Sequence, residues 1–461
     1  MGLAFKRISF CASTALSCLL NAGAADTNNA SGKSRALLEP DFQHFVTEKR
    51  ELTKRLSEKH QDAVPQMVQD FFDAAQRGDW ETMSMLFRRI EAGSARQTRN
   101  PWMPISLWGP VHEVFGAADQ FRTWNPQLLH RFGNEIIQKI PAGSIYFGGT
   151  DAGRFVISAL TASHTEGRPF FTITQNALAD GSYVEYLRDI YGAKIHLPAA
   201  HELQRAFQEY LDDAQRRMEK HQLRENESVK VIDGRVQVSG IVAVMEINER
   251  LIKFIIEKNP SREIYLEESY PLESLYAQSL PHGLIFKVSH EKMTQLPWRT
   301  VEADHKFWAE ECKSLIGSFV KEETSVQEIC SWTEKVFLEP AAHVFNGNRA
   351  YVQDAQAPQY WSQCRNAIAG YYEWWSRNSE KAQRESLVKE ADYAYRQSVG
   401  LSPYNPTVVW RYVNFLFQNQ RTNDAKVLIQ MTLKLNPEKR MDIDSDQLKD
   451  ALKKLRAQAT K

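Results

Sequence analysis

The chain has little that would tie it to one chemistry. Its 461 residues carry 57 basic and 57 acidic side chains, so the formal net charge is zero. That removes the usual electrostatic case for nucleic-acid binding. Five cysteines are present. Cys11 and Cys18 fall in an apolar N-terminal run, while Cys312, Cys330 and Cys364 are widely spaced in helical patterns without a Cys-x-x-Cys pair. Buried free thiols are expected, not a disulfide-stapled scaffold. Beyond the N-terminus no apolar run approaches the roughly 18 residues needed to span a bilayer, so the mature chain should have no transmembrane segment. There is no G-x-S-x-G elbow, no H-E-x-x-H and no P-loop or dinucleotide fingerprint. His196 and His201 lie five apart across a proline, a poor metal spacing. No metal or cofactor is expected. What is present, 43% hydrophobic and 11% aromatic residues with 11 Trp, excludes general disorder.

The N-terminus reads as an export signal. Lys6 and Arg7 precede an uncharged run from Ile8 to Leu20, and Ala22-Gly23-Ala24 supplies the small residues a signal peptidase reads. Cleavage after residue 24 would place the protein in the periplasm or outside the cell. Cys18 follows Ala15-Leu16-Ser17, a poor lipidation box, so a lipoprotein is the weaker reading.

Five stretches follow from the pattern. After the signal peptide (1–24), residues 25–61 are charged with sparse apolar positions and read as an exposed segment and helix. Residues 62–132 hold a helical hairpin, with Pro65 at a helix start and Gly78-Asp79 at the turn, then a Trp/Pro-rich loop over Asn100–Gly116. Residues 133–295 alternate β-rich runs with helical patterns. The runs are Ser144–Phe147, Phe170–Thr174, Glu263–Leu266 and Gly283–Val288. Such alternation predicts an α/β domain with a mostly parallel, Rossmann-like sheet. Within it Asp233-Gly234 suits a hairpin turn, and Ser239 can cap a long helix over 240–258. Residues 296–461 read as helix alone, with Thr324 and Gln327 as a capping box.

The clearest periodicity is C-terminal. Ala391, Tyr395, Ser398, Leu401 and Pro403 recur as Ala425, Ile429, Thr432, Leu435 and Pro437, each pair 34 residues apart. Trp410, Val413, Asn414 and Phe417 fit the intervening first helix, with Asn where the pattern has Gly. Over about 384–440 the chain resembles tetratricopeptide repeats. That resemblance implies a helical solenoid capped by the Lys-rich helix carrying Leu448, Leu452 and Leu455, and a protein partner docked on it.

The candidate site is the turn Gly148-Gly149-Thr150-Asp151-Ala152-Gly153-Arg154. A strand runs into a helix start, and free N–H groups there favour an anion such as phosphate or carboxylate. Plain capping by Thr150 or Asp151 gives the same sequence signal. Gln175, Asn176 and Asp180 follow the second strand, and Glu267 and Glu268 follow the third. If the strands are parallel neighbours, Gly149, Thr150, Asp151, Arg154, Gln175, Asn176, Asp180 and Glu267 share one polar crevice beyond the sheet, suited to a sugar or small anion.

The stretch from Ile140 to Tyr191, together with Arg262–Leu266 and Leu280–Lys287, resembles the soluble domain of bacterial membrane proteins of unknown function related to protein O-mannosyltransferases. The likeness covers about a third of the chain. It implies an α/β module. The membrane half that would hold transferase chemistry has no counterpart here, so it implies no such activity. The expected function is an exported soluble binding and assembly protein, whose α/β domain recognises a polar ligand or glycan and whose repeats dock a protein. The alternative is an exported enzyme acting on a sugar or phosphorylated substrate, with Asp151 and Asp180 as its carboxylates.

Overall fold

A computed structural model describes residues 36–94, 97–98, 100–224, 227–232, 235–338, 345–441 and 446–459. The expected signal peptide and the Asp233-Gly234 turn lie outside the described residues. In chain order the elements are α1 (Pro40–His60), α2 (Gln66–Gln76), α3 (Trp80–Ala92), α4 (Trp108–Thr123), α5 (Pro126–Ile137), β1 (Ile145–Gly148), a π-helical turn (Ala152–Val156) leading into α6 (Ile157–Leu160), and β2 (Phe171–Thr174). Then come α7 (Gly181–Tyr191), α8 (Ala200–Glu219), β3 (Ser228–Ile232), β4 (Arg235–Ser239) and α9 (Ile241–Lys258). After these lie β5 (Ile264–Leu266), a 3-10 turn (Glu273–Gln278), β6 (Ser279–His282) and β7 (Ile285–Val288). The rest is helical: α10 (Trp298–Ile316), α11 (Val326–Leu338), α12 (Arg349–Gln353), α13 (Ala357–Asn378), α14 (Lys381–Leu401), α15 (Pro406–Gln418), α16 (Thr422–Lys434), α17 (Pro437–Arg440) and α18 (Asp446–Ala459). No helix among the described residues is long and apolar enough to cross a membrane.

The chain divides into two compact units, one holding residues 175–259 and the other holding 23–174 with 260–461. The larger unit spans both expected boundaries, 132/133 and 295/296. Both the sheet and α5 pack against the C-terminal helices. Tyr371 on α13 donates to the Ser279 carbonyl on β6 at 2.5 Å, and Phe132 on α5 meets Trp361 on α13 edge-on at 5.0 Å.

The larger unit is built on a five-stranded sheet in the order β2-β1-β5-β7-β6. β1 is parallel to both neighbours, Ile145 pairing with Phe171 on one side and Ile264 on the other. β7 runs antiparallel to β5 and β6. The sheet is therefore mixed, not mostly parallel. The alternation of runs and helices predicts a parallel partner for the fourth β-rich run. Instead it returns from β6 by a tight turn at Gly283, whose φ of +70° favours glycine, and a hairpin pairs antiparallel. β1 is wholly buried, as expected of a strand covered on both faces.

Two helical stretches depart from their sequence readings. α1 is not an exposed helix. Phe42, Phe45, Val46, Leu52 and Leu56 are at most 3% exposed, because spacings of three and four gather the sparse apolar residues into one stripe. The loop expected over 100–116 contains instead the start of α4. Pro110 falls in its first turn, where the missing N–H would have had no partner in any case. Smaller shifts concern helix starts. Gly240, not Ser239, precedes α9. The capping box before α11 is Ser325 with Glu328, each bonding the other's backbone N–H, at 3.2 and 2.7 Å.

Consecutive residues of α1 grip the turn that leads into β2. Glu48 accepts hydrogen bonds from the hydroxyls of Ser163 and Thr165. Lys49, fully buried, reaches His164 Nδ1 at 2.5 Å and Glu113 on α4 at 2.5 Å.

The smaller unit holds α7, α8, α9 and the antiparallel β3–β4 ribbon. Its charged centre is Glu227, which accepts from Tyr210 at 2.9 Å and pairs with Arg217.

In the C-terminal helices, all ten positions matched at the 34-residue period are buried. Tyr395 on α14 stacks on Tyr412 of α15 at 5.3 Å, and Thr432 on α16 bonds the Pro403 carbonyl at 3.0 Å.

Burial, and then the Lys49 charge, lower the His164 pKa from 6.5 to about 4. Between those values the unfolded chain binds a proton that the folded chain refuses. Stability present above pH 6.5 is therefore lost as pH falls toward 4, by about 3 kcal/mol in all. Urea unfolding from pH 7 to 4 should show this slope, and His164→Gln should flatten it by up to one proton.

Candidate functional site

The donors of the glycine-flanked turn between β1 and the π-helical turn are taken by the protein's own Glu267 carboxyl group. Glu267 directly follows β5, and its N–H continues the ladder to the Phe147 carbonyl at 2.9 Å. Its side chain points into the turn. Oε2 accepts the N–H groups of Gly149 and Thr150, both at 2.8 Å. Oε1 accepts the Thr150 hydroxyl at 2.5 Å, and that hydroxyl in turn accepts the Gly153 N–H at 2.9 Å. Glu267 is 1% exposed. Burial pushes its pKa up, while these three hydrogen bonds to the charged form hold it back.

The glycines serve this internal contact. A Cβ at Gly153 would lie 1.6 Å from Glu267 Oε2. One at Gly148 would lie 2.4 Å from the Gly153 carbonyl oxygen, which itself accepts the Tyr146 hydroxyl at 2.9 Å. Close backbone approach was legible in the spacing. That the approaching group is Glu267 was not, because the partner lies more than a hundred residues away along the chain.

The structure thus brings together Gly149, Thr150 and Glu267. Asp151 and Arg154 form an ion pair of their own at 2.5 Å, with side chains 24% and 12% exposed, and the Arg154 guanidinium lies 4.2 Å over the Phe155 ring. Gln175, Asn176 and Asp180 belong to the smaller unit. There Asp180 caps α7, accepting the Ser182 N–H at 2.9 Å and the Ser182 hydroxyl at 2.6 Å, and Gln175 is buried. Glu267 takes both backbone N–H groups of the first turn, the donors that an external anion would need.

Glu268 accepts the Tyr276 hydroxyl at 3.0 Å and is 5% exposed. Burial raises its pKa to about 7, with the Arg411 charge on α15 opposing. Tyr276 and Arg411 carried no local sequence signal, since they reach this carboxyl from a 3-10 turn and a distant helix. Among the described residues no group of three or more His, Cys, Asp or Glu side chains is placed to hold a metal ion. The three described thiols, Cys312, Cys330 and Cys364, are free and buried, and burial pushes all three above their ordinary value. They are poor nucleophiles.

Comparison of the chain with protein-family models, with curated proteins and with solved structures finds no match.

Gly153→Ala should cost about 3 kcal/mol, because the methyl and the Glu267 carboxylate cannot share the space. Asp151→Ala, which removes only a partly exposed pair, should cost about 0.5 kcal/mol. Chemical denaturation of the two variants measures the contrast, and equal losses would contradict the arrangement.

Proposed function

We propose that the chain is an exported binding and assembly protein that docks a protein partner through tetratricopeptide-like helical pairs near its C-terminus. The observation that carries this reading is the packing of the period-matched positions. The small residues Ala391, Ser398, Ala425 and Thr432 are all fully buried on α14 and α16. That is where a two-helix repeat needs small side chains for close approach. The ligand-binding half of the expected function loses support, since the donors that would hold an anion or sugar at the first turn serve Glu267. The carboxylates of the enzymatic alternative also have partners within the chain: Asp151 pairs with Arg154, and Asp180 caps a helix.

Two measurements test the proposal. A photo-crosslinking residue at Asn414 or Lys426, on α15 and α16, should trap one defined protein in the producing cell. The same residue at Glu209, on α8, should trap none. Equal or absent crosslinking at the helical pairs defeats the docking reading. For export, the intact mass of the protein recovered from the cell envelope or medium should correspond to a chain beginning at Ala25. A full-length mass, or recovery only from the cytoplasm, defeats it.

A further inference from the structure

Among the described residues, the β3–β4 ribbon of the smaller unit pairs with no third strand. Its register sets Val229 opposite Val238 and Val231 opposite Val236. Directly opposed residues of an antiparallel pair share a face, and so do residues two apart along a strand. All four valines therefore lie on one face of the ribbon. None of them is buried, and Val231 is 53% exposed. Each outer edge of such a ribbon carries backbone N–H and C=O groups that the inner partner cannot reach. Among the described residues, the β4 backbone bonds to β3 and to no other element.

The two edges differ. The middle of β3 holds Lys230, which is exposed, and a lysine on an edge strand opposes the approach of a further strand. The middle of β4 holds Gln237, also exposed, and Val236–Ser239 contains neither charge nor proline. β4 is thus the unguarded edge. It is also symmetric about Gln237, with a valine on each side. Antiparallel pairing of two β4 strands about a two-fold axis at Gln237 sets Val236 of each copy opposite Val238 of the other, and Gln237 opposite itself. The same operation on β3 sets Lys230 against Lys230. A two-fold contact of this kind closes at two copies.

We propose that the protein dimerises by antiparallel pairing of β4 with β4 of a second copy. The occupant is a second copy because β4 complements itself in shape and in charge, and because the four-stranded sheet so formed ends on the two Lys230 edges. Pairing joins the valine faces of two ribbons into one. A two-stranded ribbon has marginal stability alone, and a sheet of four strands does not.

Sedimentation of the full chain over a range of concentrations should show a monomer–dimer equilibrium. Gln237→Lys sets like charges across the axis and should raise the dimer Kd about tenfold or more, while Lys230→Gln should leave the dimer intact. Gln237→Cys should give a covalent dimer on mild oxidation. Lys230→Cys and the wild-type chain, oxidised in parallel, should not. A chain that stays monomeric at every concentration overturns the proposal. So does a Gln237→Lys dimer as tight as wild type, or crosslinking at 230 equal to that at 237. If Gln237→Lys does not fold, the crosslinking contrast decides.

Discussion

A carboxylate taken out of water is expensive unless its charge is met by hydrogen bonds, and the buried Glu267 side chain imposes that constraint on the centre of the larger unit. Two backbone N–H groups and a hydroxyl meet it. To deliver them, the chain after β1 must turn tightly. To leave room for the carboxylate, it must have glycine at 153. The turn in turn fixes where the following helix begins and how β1 and β5 end together. One contact between residues far apart in sequence thus links a sheet edge, a turn and a helix start. It also occupies the donors that most suggested a ligand.

The same logic recurs elsewhere with other charges. Lys49 and Glu113 are paired between α1 and α4, beside His164 of the turn before β2. Arg365 and Asp304 are buried among the C-terminal helices. Ion pairs of this kind add little net stability over well-packed apolar residues, yet they are costly to break. They act as joints between segments whose apolar surfaces would otherwise tolerate several packings.

Much of the local structure was legible in the sequence, and the reasons are local. The β-rich runs at 145–148, 171–174 and 264–266 became strands, and Asp79 caps α3 through the Thr82 N–H. Errors arose where the deciding partner is distant. Pro110 looked like a breaker until its place in a first turn was known. The run at 285–288 looked parallel, because nothing in its residues distinguishes a crossover from a hairpin until the neighbouring strand at 279–282 is recognised. The donors of the candidate turn are taken by Glu267, which no local pattern announces. A nest of N–H groups reads the same in sequence whether phosphate or a glutamate from another strand fills it.

The placement of residues 175–259 between β2 and β5 bears on how the protein folds. β2 and β5 flank the same strand and run parallel, so this long excursion leaves one end of the sheet and returns to the other, two strand spacings across and a short strand length along, about 14 Å. The entropy of closing a loop grows only slowly with its length, but pairings so remote in sequence slow folding. A segment that condenses by itself exchanges a floppy tether for a short rigid one. The central sheet can then close at a speed set by the compact insert's ends, not by the length of chain between them.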